Sequence, residues 1–201
     1  MSRGREPRGL LVPLRRPDPS PDAMSDEALI AACAVGEPGA LGLLFDRHHR
    51  AVFRFVARLA ADADADDLVQ TTFVEVWRGA ARYRGGSAVR TWLLGIAANL
   101  VRRHVRGEVR RRAAMTSLAA APPVLERAPD DAAIRRQLTR RLGEALAALP
   151  HDLRVAFVMC DLEEVPGVEA ARALGLREGT LWRRLHDARK ALRAALDGGA
   201  P

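Results

Sequence analysis

The sequence predicts an all-α protein made of two small helical domains joined by a flexible linker. Apolar residues recur at steps of three and four along most of the chain, and almost no period-two alternation is present. The pattern stops between about Ala113 and Pro129, where three prolines and small residues are typical of a linker. The 201 residues suffice for one domain or two small ones, and a hydrophobic content of 48% favours a folded chain over a disordered one.

The first domain begins with two predicted helices. Ser25 is a suitable N-cap for a helix that ends at Ala34, with acidic residues in its first turn, where the helix dipole favours negative charge. Glycine and proline at 36–39 are expected to break it. Apolar residues at steps of three and four then predict one long amphipathic helix over about 41–59.

A third helix is predicted in the stretch 61–77, ADADADDLVQTTFVEVW, which is acidic within a basic chain. Asp64 or Asp66 can cap this helix, and its apolar pattern ends in Trp77. An acidic helix with an aromatic end favours the binding of a protein over the binding of DNA.

The fourth helix is predicted to be apolar in its first half and basic in its second. It follows a loop in which Gly85 and Gly86 allow backbone angles that other residues resist. Aromatic side chains beside such a loop and basic residues suit single-stranded nucleic acid, whose bases stack or flip while arginines hold phosphates. Trp92, just beyond the loop, is by itself more typical of a core residue. The basic half carries Arg102, Arg103, Arg106, Arg110, Arg111 and Arg112.

Helices resume at about Asp131 in the second domain. The apolar stripes predict one helix that stops at Pro150, one over about 155–162, a short one over 166–174 and a last one over 177–196. The predicted organisation is a disordered extension (1–24), a first domain (25–108), a linker (109–131), a second domain (132–197) and a tail (198–201).

The last two helices have the spacing of a helix-turn-helix. Ala171 is small where two helices approach closely, and Gly175 follows where a helix end takes a left-handed conformation. Leu181 and Leu185 then face the core, so we expect Trp182 to be exposed. The outward side carries Trp182, Arg183, Arg184, His186, Asp187 and Arg189. Such a helix reads base edges in the major groove and contacts phosphates; the alternative is a plain helical hairpin with a solvated arginine face.

The chain carries a net charge of +7, and Lys190 is its one lysine, so nearly all of the positive charge is arginine. The planar guanidinium fits phosphates and guanine edges. The charge therefore favours nucleic acid or an acidic surface as the partner. A genomic bias towards arginine codons explains the composition equally well, so the positions of the arginines carry the argument.

The sequence has no pattern typical of an enzyme, a metal site or a cofactor site. Cys33 and Cys160 lack metal-ligand spacing and are expected to be buried free thiols in a reducing cytoplasm. His48 and His49 are adjacent on a helix and point about 100° apart, so they do not form a simple metal site. No nucleophile stands at a plausible spacing from a base, and no phosphate loop is present. We therefore predict no catalytic residue, no metal and no cofactor.

No apolar run approaches the roughly 20 residues that a membrane span needs, and we expect a cytoplasmic protein. The apolar run within residues 1–23 is too short and too broken by proline for a signal peptide. We interpret this segment as a disordered extension, and Met24 is an alternative start of translation.

Four motifs resemble those of the extracytoplasmic-function sigma factors, the compact class of bacterial transcription initiation factors. They are DADDLVQTTFVEVW, RYRGGSAVRTWLLGIAANLVRRHVR, LPHDLRVAFVMCDLEEV and LGLREGTLWRRLHDARKAL, and together they extend the resemblance over nearly all of 25–197. The resemblance implies that the first domain (sigma region 2) binds the β′ clamp helices of core RNA polymerase and opens the −10 element. It implies that the second domain (sigma region 4) sits on the β flap and reads the −35 element of duplex promoter DNA.

The resemblance also implies roles for individual residues. The set expected to bind core polymerase is Asp66, Asp67, Leu68, Gln70, Phe73 and Trp77. The −10 set is the loop Gly85, Gly86, Ser87 and Ala88, which would take a flipped base, supported by Asn99, Arg102 and Arg103. At the −35 element, the residues expected to face bases are Trp182, Arg183, His186 and Asp187, and those expected to contact phosphates are Thr180, Arg184 and Arg189.

The chain departs from the family pattern around its recognition helix. Trp182, Arg183 and Asp187 differ from the residues common there, so the promoter hexamer that is read is expected to be unusual. Pro166 and Gly167 replace the common Ser-Tyr, and the glycine is predicted to fray the start of the short helix.

Two other functions remain open at this point. One is a stand-alone helix-turn-helix regulator that binds duplex DNA without polymerase, and the other is a sigma-like adaptor that does not initiate. Because no extra domain follows residue 201 in this sequence, regulation is expected to come from a separate anti-sigma factor or from expression level.

Overall fold

The computed structural model describes residues 24–60, 64–114 and 131–197, and this part of the chain folds into eight α-helices without a strand. The helices are α1 (Asp26–Ala34), α2 (Pro38–Leu59), α3 (Ala65–Gly79), α4 (Val89–Ala114), α5 (Asp131–Ala148), α6 (His151–Phe157), α7 (Gly167–Ala173) and α8 (Glu178–Asp197). The all-α prediction is confirmed. The extension before Met24, most of the predicted linker (115–130) and the tail from 198 lie outside the described residues. None of the described helices is long and apolar enough to cross a bilayer.

The first two helices begin where local sequence chemistry favours them. Ser25 caps α1 as predicted, because its Oγ accepts a hydrogen bond from the backbone N–H of Ala28 at 3.2 Å. The predicted break after α1 is present, since α1 ends at Ala34 and Gly36 has φ +92°. Pro38 then starts α2, because the fixed φ of proline suits the first helical turn. Asp26 of α1 is 2.9 Å from Arg47 and 2.6 Å from His48, both on α2, which ties the two helices together.

The third helix begins without the side-chain cap that the sequence predicts. Asp64 occupies the N-cap position, but its backbone is helical (φ −103°, ψ −2°) and its side chain makes no capping hydrogen bond. Its carboxylate instead lies 3.1 Å from Nε2 of His104 on α4. Asp66 lies inside the first turn, where the helix dipole favours a negative charge. The acidic residues at the start of α3 therefore stabilise this helix through their charge and through the contact of Asp64 with α4.

The second half of the chain forms the predicted helix-turn-helix. Beyond α6 the backbone passes into a π-helical turn, Val158–Leu162, which the sequence did not predict. Gly175 follows α7 with φ +65°, the left-handed conformation expected at a helix end. Leu181 and Leu185 of α8 are fully buried, as predicted. The turn at Gly175 therefore joins α7 to α8 so that Leu181 and Leu185 face the core and the opposite side of α8 faces solvent.

One apolar core runs through both predicted domains. Leu93 and Leu94 of α4 belong to the same buried cluster as Met159 in the π-helical turn and Leu181 in α8. A smaller cluster packs α5 against α8 and comprises Leu146, Leu149, Ala188 and Leu192. The sequence predicts two domains and a join, but the extensive contact between the two domains is a finding of the structure.

Candidate nucleic-acid and protein interfaces

The loop 83–88, before α4, is shaped by contacts within itself. The hydroxyl of Tyr83 donates a hydrogen bond to the carbonyl oxygen of Ser87 at 2.7 Å, and the rings of Tyr83 and Trp92 lie 5.2 Å apart. Gly85 has φ +67°, a conformation that other residues rarely adopt. Gly85, Gly86 and Ala88 are exposed, whereas Ser87 is half-buried. Three of the four predicted loop residues are thus exposed.

A cavity of about 370 Å³ lies between α3 and α4, beside this loop. Asn99, Arg102 and Arg103, the three predicted supporting residues, all line it, and Arg102 donates to Oδ1 of Asn99 at 2.8 Å. The rest of the lining is Glu75, Gly79, Arg82, Trp92 and Ile96. Guanidinium groups and an indole around one cavity suit a base and its phosphate. The loop residues 85–88 lie outside this lining, so the predicted −10 set falls into two neighbouring parts.

The predicted polymerase-binding set divides between surface and core. Asp66, Asp67 and Gln70 are exposed on α3, and Trp77 is half-buried. Leu68 and Phe73, by contrast, keep only 8% and 4% of their surface exposed. A helix packed on its neighbours exposes one side only, and these two side chains point into the core. In this structure Leu68 and Phe73 support the exposed surface from beneath, and their direct contact with polymerase stays a prediction.

An aromatic cleft on α2 extends this acidic side of α3. The cleft has a volume of about 480 Å³ and is lined by Phe45, His49, Arg50, Phe53, Arg54, Asp66, Val69 and Gln70. Phe45 and Phe53 are 37% and 39% exposed, and the ring of Phe45 stacks on His49 with centroids 5.0 Å apart. The sequence analysis missed this cleft. The signal was the spacing of four between positions 45, 49 and 53, which forms a second stripe beside the buried one.

The recognition helix exposes the residues predicted to face bases. Trp182 is 49% exposed, and Arg183, His186 and Asp187 are exposed beside or one turn after it. The indole of Trp182 lies against Gly167, where an added Cβ would come within 2.5 Å of the ring. Gly167 at the start of α7 and Trp182 of α8 therefore form one packing contact. Thr180, predicted to contact phosphate, is half-buried in the first turn of α8.

Two predicted phosphate contacts are occupied by carboxylates of the same domain. Arg184 lies 2.8 Å from Asp152 of α6, and Arg189 donates two hydrogen bonds, of 2.9 and 2.6 Å, to Asp161 in the π-helical turn. Both guanidinium groups are thus paired in this structure, and their contact with phosphate stays a prediction. The pairs form because α8 packs across α6 and the π-helical turn, which periodicity alone does not reveal.

Comparison with known proteins decides the family. A family model for sigma-70 region 2 matches residues 44–111, and a model for sigma-70 region 4 matches residues 139–192. The ECF RNA polymerase sigma factor SigM of Mycobacterium tuberculosis strain H37Rv is 37% identical over 172 residues, which cover 84% of this chain and 83% of SigM. The chain belongs to the ECF RNA polymerase sigma factors.

Two further proteins are similar to this sigma factor over most of its length. The ECF RNA polymerase sigma-E factor of Escherichia coli K12 is 26% identical over 179 residues, 85% of this chain and 94% of that protein. The structure of CnrH in complex with the cytosolic domain of CnrY matches with a TM-score of 0.63 and 28% identity, covering 87% of this chain and 99% of CnrH. The match therefore spans both halves of the sigma factor.

Proposed function

We propose that this sigma factor is a transcription initiation factor that binds core RNA polymerase and directs it to specific promoters. The observation that carries the proposal is that one chain with the family fold exposes an acidic, aromatic surface apart from its arginine-bearing surfaces. The acidic and aromatic side lies on α2 and α3, the arginine-lined cavity lies beside α4, and the exposed recognition helix is α8. It acts without a catalytic step of its own, in the cytoplasm, where polymerase is found.

In this proposal the α2–α3 surface binds the β′ clamp helices of polymerase. Asp66, Asp67 and Gln70 contribute polar contacts, and Trp77 contributes part of its ring. The exposed rings of Phe45 and Phe53 in the adjoining cleft support the assignment, because exposed aromatic patches mark sites of protein contact.

The loop 83–88 and the neighbouring cavity open the −10 element. A base flipped from the duplex enters at the loop of Gly85, Gly86, Ser87 and Ala88. Arg102 and Arg103, supported by Asn99 in the same cavity, hold the backbone. Unstacking a base costs free energy, which stacking and phosphate contacts must offset. This supports a loop that takes the base beside arginines that hold the DNA backbone.

Region 4 sits on the β flap and reads the −35 element through α8. Trp182, Arg183, His186 and Asp187 face the bases, consistent with their exposure on one side of the helix. Thr180 contacts phosphate, and so do Arg184 and Arg189 once DNA competes with the carboxylates that now hold them.

A separate anti-sigma factor is the proposed regulator. CnrH, which is similar over 87% of this chain, was solved in complex with the cytosolic domain of another protein, CnrY. The exposed aromatic cleft offers a partner of this kind an apolar site on region 2.

Co-elution with purified core polymerase separates this function from its alternatives. The full chain is expected to co-elute with core and to confer binding of promoter DNA on it. Tight binding of duplex DNA without any binding to core would instead identify a stand-alone regulator. Binding to core without any transcript from a genomic promoter library would identify an adaptor.

A further inference from the structure

Helix α8, which the structure describes along its whole length, exposes one large apolar side chain, that of Trp182. The side chain is 49% exposed, whereas its neighbour Leu181 is fully buried. The residues beside it on the exposed side are all polar, namely Arg183, His186 and Asp187. Single exposed apolar side chains are common on protein surfaces, but this one lies among the groups proposed to face DNA bases.

The start of α7 holds the indole of Trp182 in place. Three atoms of its six-membered ring, Cζ2, Cη2 and Cε2, lie over Gly167, and a Cβ added to that glycine would be 2.5, 2.7 and 3.2 Å from them. Carbon atoms that are not bonded to each other do not approach so closely, so any side chain at position 167 would push the ring away. One part of the indole is thus covered by α7, and the remainder is exposed.

An indole that is already held in place is well suited to recognition. Tryptophan has only two side-chain torsions, and the contact with Gly167 restricts them further. A group that is ordered before binding loses little conformational entropy when it binds. The free energy of its contact with a partner is therefore retained as affinity and as discrimination between partners.

The charged neighbours of Trp182 indicate which side of α8 meets the bases. Arg184 and Arg189 pair with carboxylates of their own domain. Arg183 and Asp187 form no ion pair or hydrogen bond with any residue in the described part of the chain. The unpaired polar groups are therefore on the side that carries the indole, and a helix that presents them to base edges brings the indole into the same groove.

The major groove offers an indole one kind of apolar contact. Guanine, adenine and cytosine present only hydrogen-bond donors and acceptors at their major-groove edges, whereas thymine also presents the methyl group on C5. An indole has one N–H donor and no acceptor, so covering the other bases would leave their polar groups without water or a partner. Covering the thymine methyl group, by contrast, is favourable because it removes apolar surface from water.

We propose that Trp182 reads a thymine of the −35 element through its C5-methyl group, and that Gly167 positions the indole for this contact. Trp182 is then the residue that determines specificity at this base pair, and Gly167 is a positioning residue. The inference rests on the proposed function of α8 in −35 recognition, and it adds the base that one side chain selects.

Replacement of thymine by uracil tests the contact, because the two bases differ only by the methyl group. The probe is the −35 duplex that the full-length chain, bound to core polymerase, enriches from a randomised library. Each thymine of this duplex is replaced by uracil in turn, and affinity is measured by fluorescence anisotropy. We expect one replacement to weaken binding about fourfold, which is the effect of exposing one buried methyl-sized group.

Protein variants assign this effect to the indole. Trp182→Ala should bind the thymine and uracil duplexes equally. Gly167→Ala keeps the tryptophan but displaces its ring, so it should reduce the difference between the two duplexes. The matched control is Val168→Ala, which removes an apolar side chain of similar exposure, 45%, outside α8. It should keep the fourfold difference of the wild type.

A second pair of bases repeats the test in the opposite direction. Cytosine at the selected position should weaken binding, and 5-methylcytosine, which restores the methyl group, should recover part of the loss. The recovery is expected in the wild type and in Val168→Ala but not in Trp182→Ala. This comparison and the uracil series both use the wild type, so the test remains decisive if a variant folds poorly.

The other outcomes overturn the proposal and differ from one another. Equal binding of all thymine and uracil duplexes by the wild type would mean that no methyl group is read. A thymine preference that persists in Trp182→Ala would assign the methyl group to another residue. A uniform loss over all duplexes in Trp182→Ala would place the indole on the sugar-phosphate backbone. A loss of affinity for core polymerase with unchanged discrimination would place it on polymerase.

Failure of the proposed function has a different signature. In that case the chain does not bind core polymerase, and the uracil series is measured with the free chain on the duplex that it selects by itself. The thymine contact is then confirmed or overturned independently of polymerase. A chain that enriches no duplex in either form would overturn the contact as well.

Discussion

At the residue scale, the contact between Trp182 and Gly167 links two departures from the family pattern. The sequence identifies each departure separately, and the exposure of Trp182 follows from the buried positions of Leu181 and Leu185 on either side of it. Their coupling depends on the packing of α7 against α8, which no local pattern contains. Gly167 is predicted to weaken the start of α7, but its lack of a side chain leaves the space that the indole of Trp182 occupies.

Gly167→Tyr is expected to displace the indole of Trp182 and to lower the free energy of unfolding by about 1–3 kcal/mol, as overpacking does. Thermal unfolding measures the loss, and selection from a randomised −35 duplex measures base preference. Adding Trp182→Ala to Gly167→Tyr should recover stability but not the original base preference. Unchanged stability in the single variant would contradict the contact.

Arg183→Ala is expected to weaken binding of the −35 duplex by about 1–3 kcal/mol at one base position if this side chain reads a guanine. The measurement is affinity for a set of duplexes that differ at single positions. Arg193→Ala, an exposed arginine near the end of α8, is the control and should change affinity little. Equal loss across all duplexes would mean that Arg183 contacts phosphate.

The two candidate caps differ in their expected effect on stability. Ser25→Ala removes an observed capping hydrogen bond and should lower the free energy of unfolding by about 1 kcal/mol. Asp64→Asn should cost less, because the Asp64 side chain does not cap α3. Chemical denaturation of both variants measures the difference, and an equal or larger cost for Asp64→Asn would contradict the cap assignment.

At the scale of elements, hydrophobic periodicity predicts the helices well because each one buries a single stripe. The limits of α1 and α5 agree with the sequence prediction to within a residue or two. The start of α2 at Pro38 and the π-helical turn at Val158–Leu162 were missed. Proline can either end a helix or occupy the first turn of the next one, so the sequence does not decide between the two. A π-helical turn keeps its apolar residues on one side and therefore has the pattern of an ordinary helix.

On the α2–α3 surface, periodicity alone does not separate the residues that contact a partner from those that are buried. Leu68 and Phe73 belong to the motif that resembles a polymerase-binding segment, yet they are buried. A sequence motif predicts a helix, whereas the packing of that helix against its neighbours determines which of its residues are exposed.

Asp67→Arg is expected to weaken binding to core polymerase while leaving the fold intact, because Asp67 is exposed on the proposed contact surface. Glu144→Arg makes the same change of charge at an exposed position on α5 and is the control. Affinity for core is measured by fluorescence anisotropy of the labelled sigma factor. Equal affinities for Asp67→Arg and the wild type would contradict the role given to α3.

At the scale of the whole molecule, the packing of region 2 against region 4 could not be predicted from the sequence. It depends on Glu163 meeting arginines 105 and 73 residues away, at positions 58 and 90. It also depends on Gly95, which in the sequence is only a weak residue in a helix. Contacts over such separations follow from the fold and leave no local pattern.

His151, between the two regions, is expected to make stability depend on pH. Burial, with a smaller contribution from Arg154, lowers its pKa to about 4; Asp152 opposes this, and Arg102 and Arg106 of α4 add to it. The pKa of a histidine in an unfolded chain is about 6.5, so between about pH 6.5 and 4 the unfolded chain binds more protons than the folded one. The contribution of neutral His151 is complete above this range and is lost as the pH falls through it.

The test compares thermal unfolding of the wild type and His151→Gln at about pH 7.5 and about pH 5. The wild type should lose more stability on acidification than the variant does. Equal losses would contradict the assignment, since the other titrating groups are common to both proteins.

Run-off transcription with purified core polymerase on a genomic promoter library, followed by sequencing of the RNA starts, tests the central claim most directly. The account predicts transcripts that depend on the added chain and start at a fixed distance from a shared −10 element, with a shared −35 element upstream. Transcripts that are absent, or that do not depend on the chain, would contradict its role as a sigma factor.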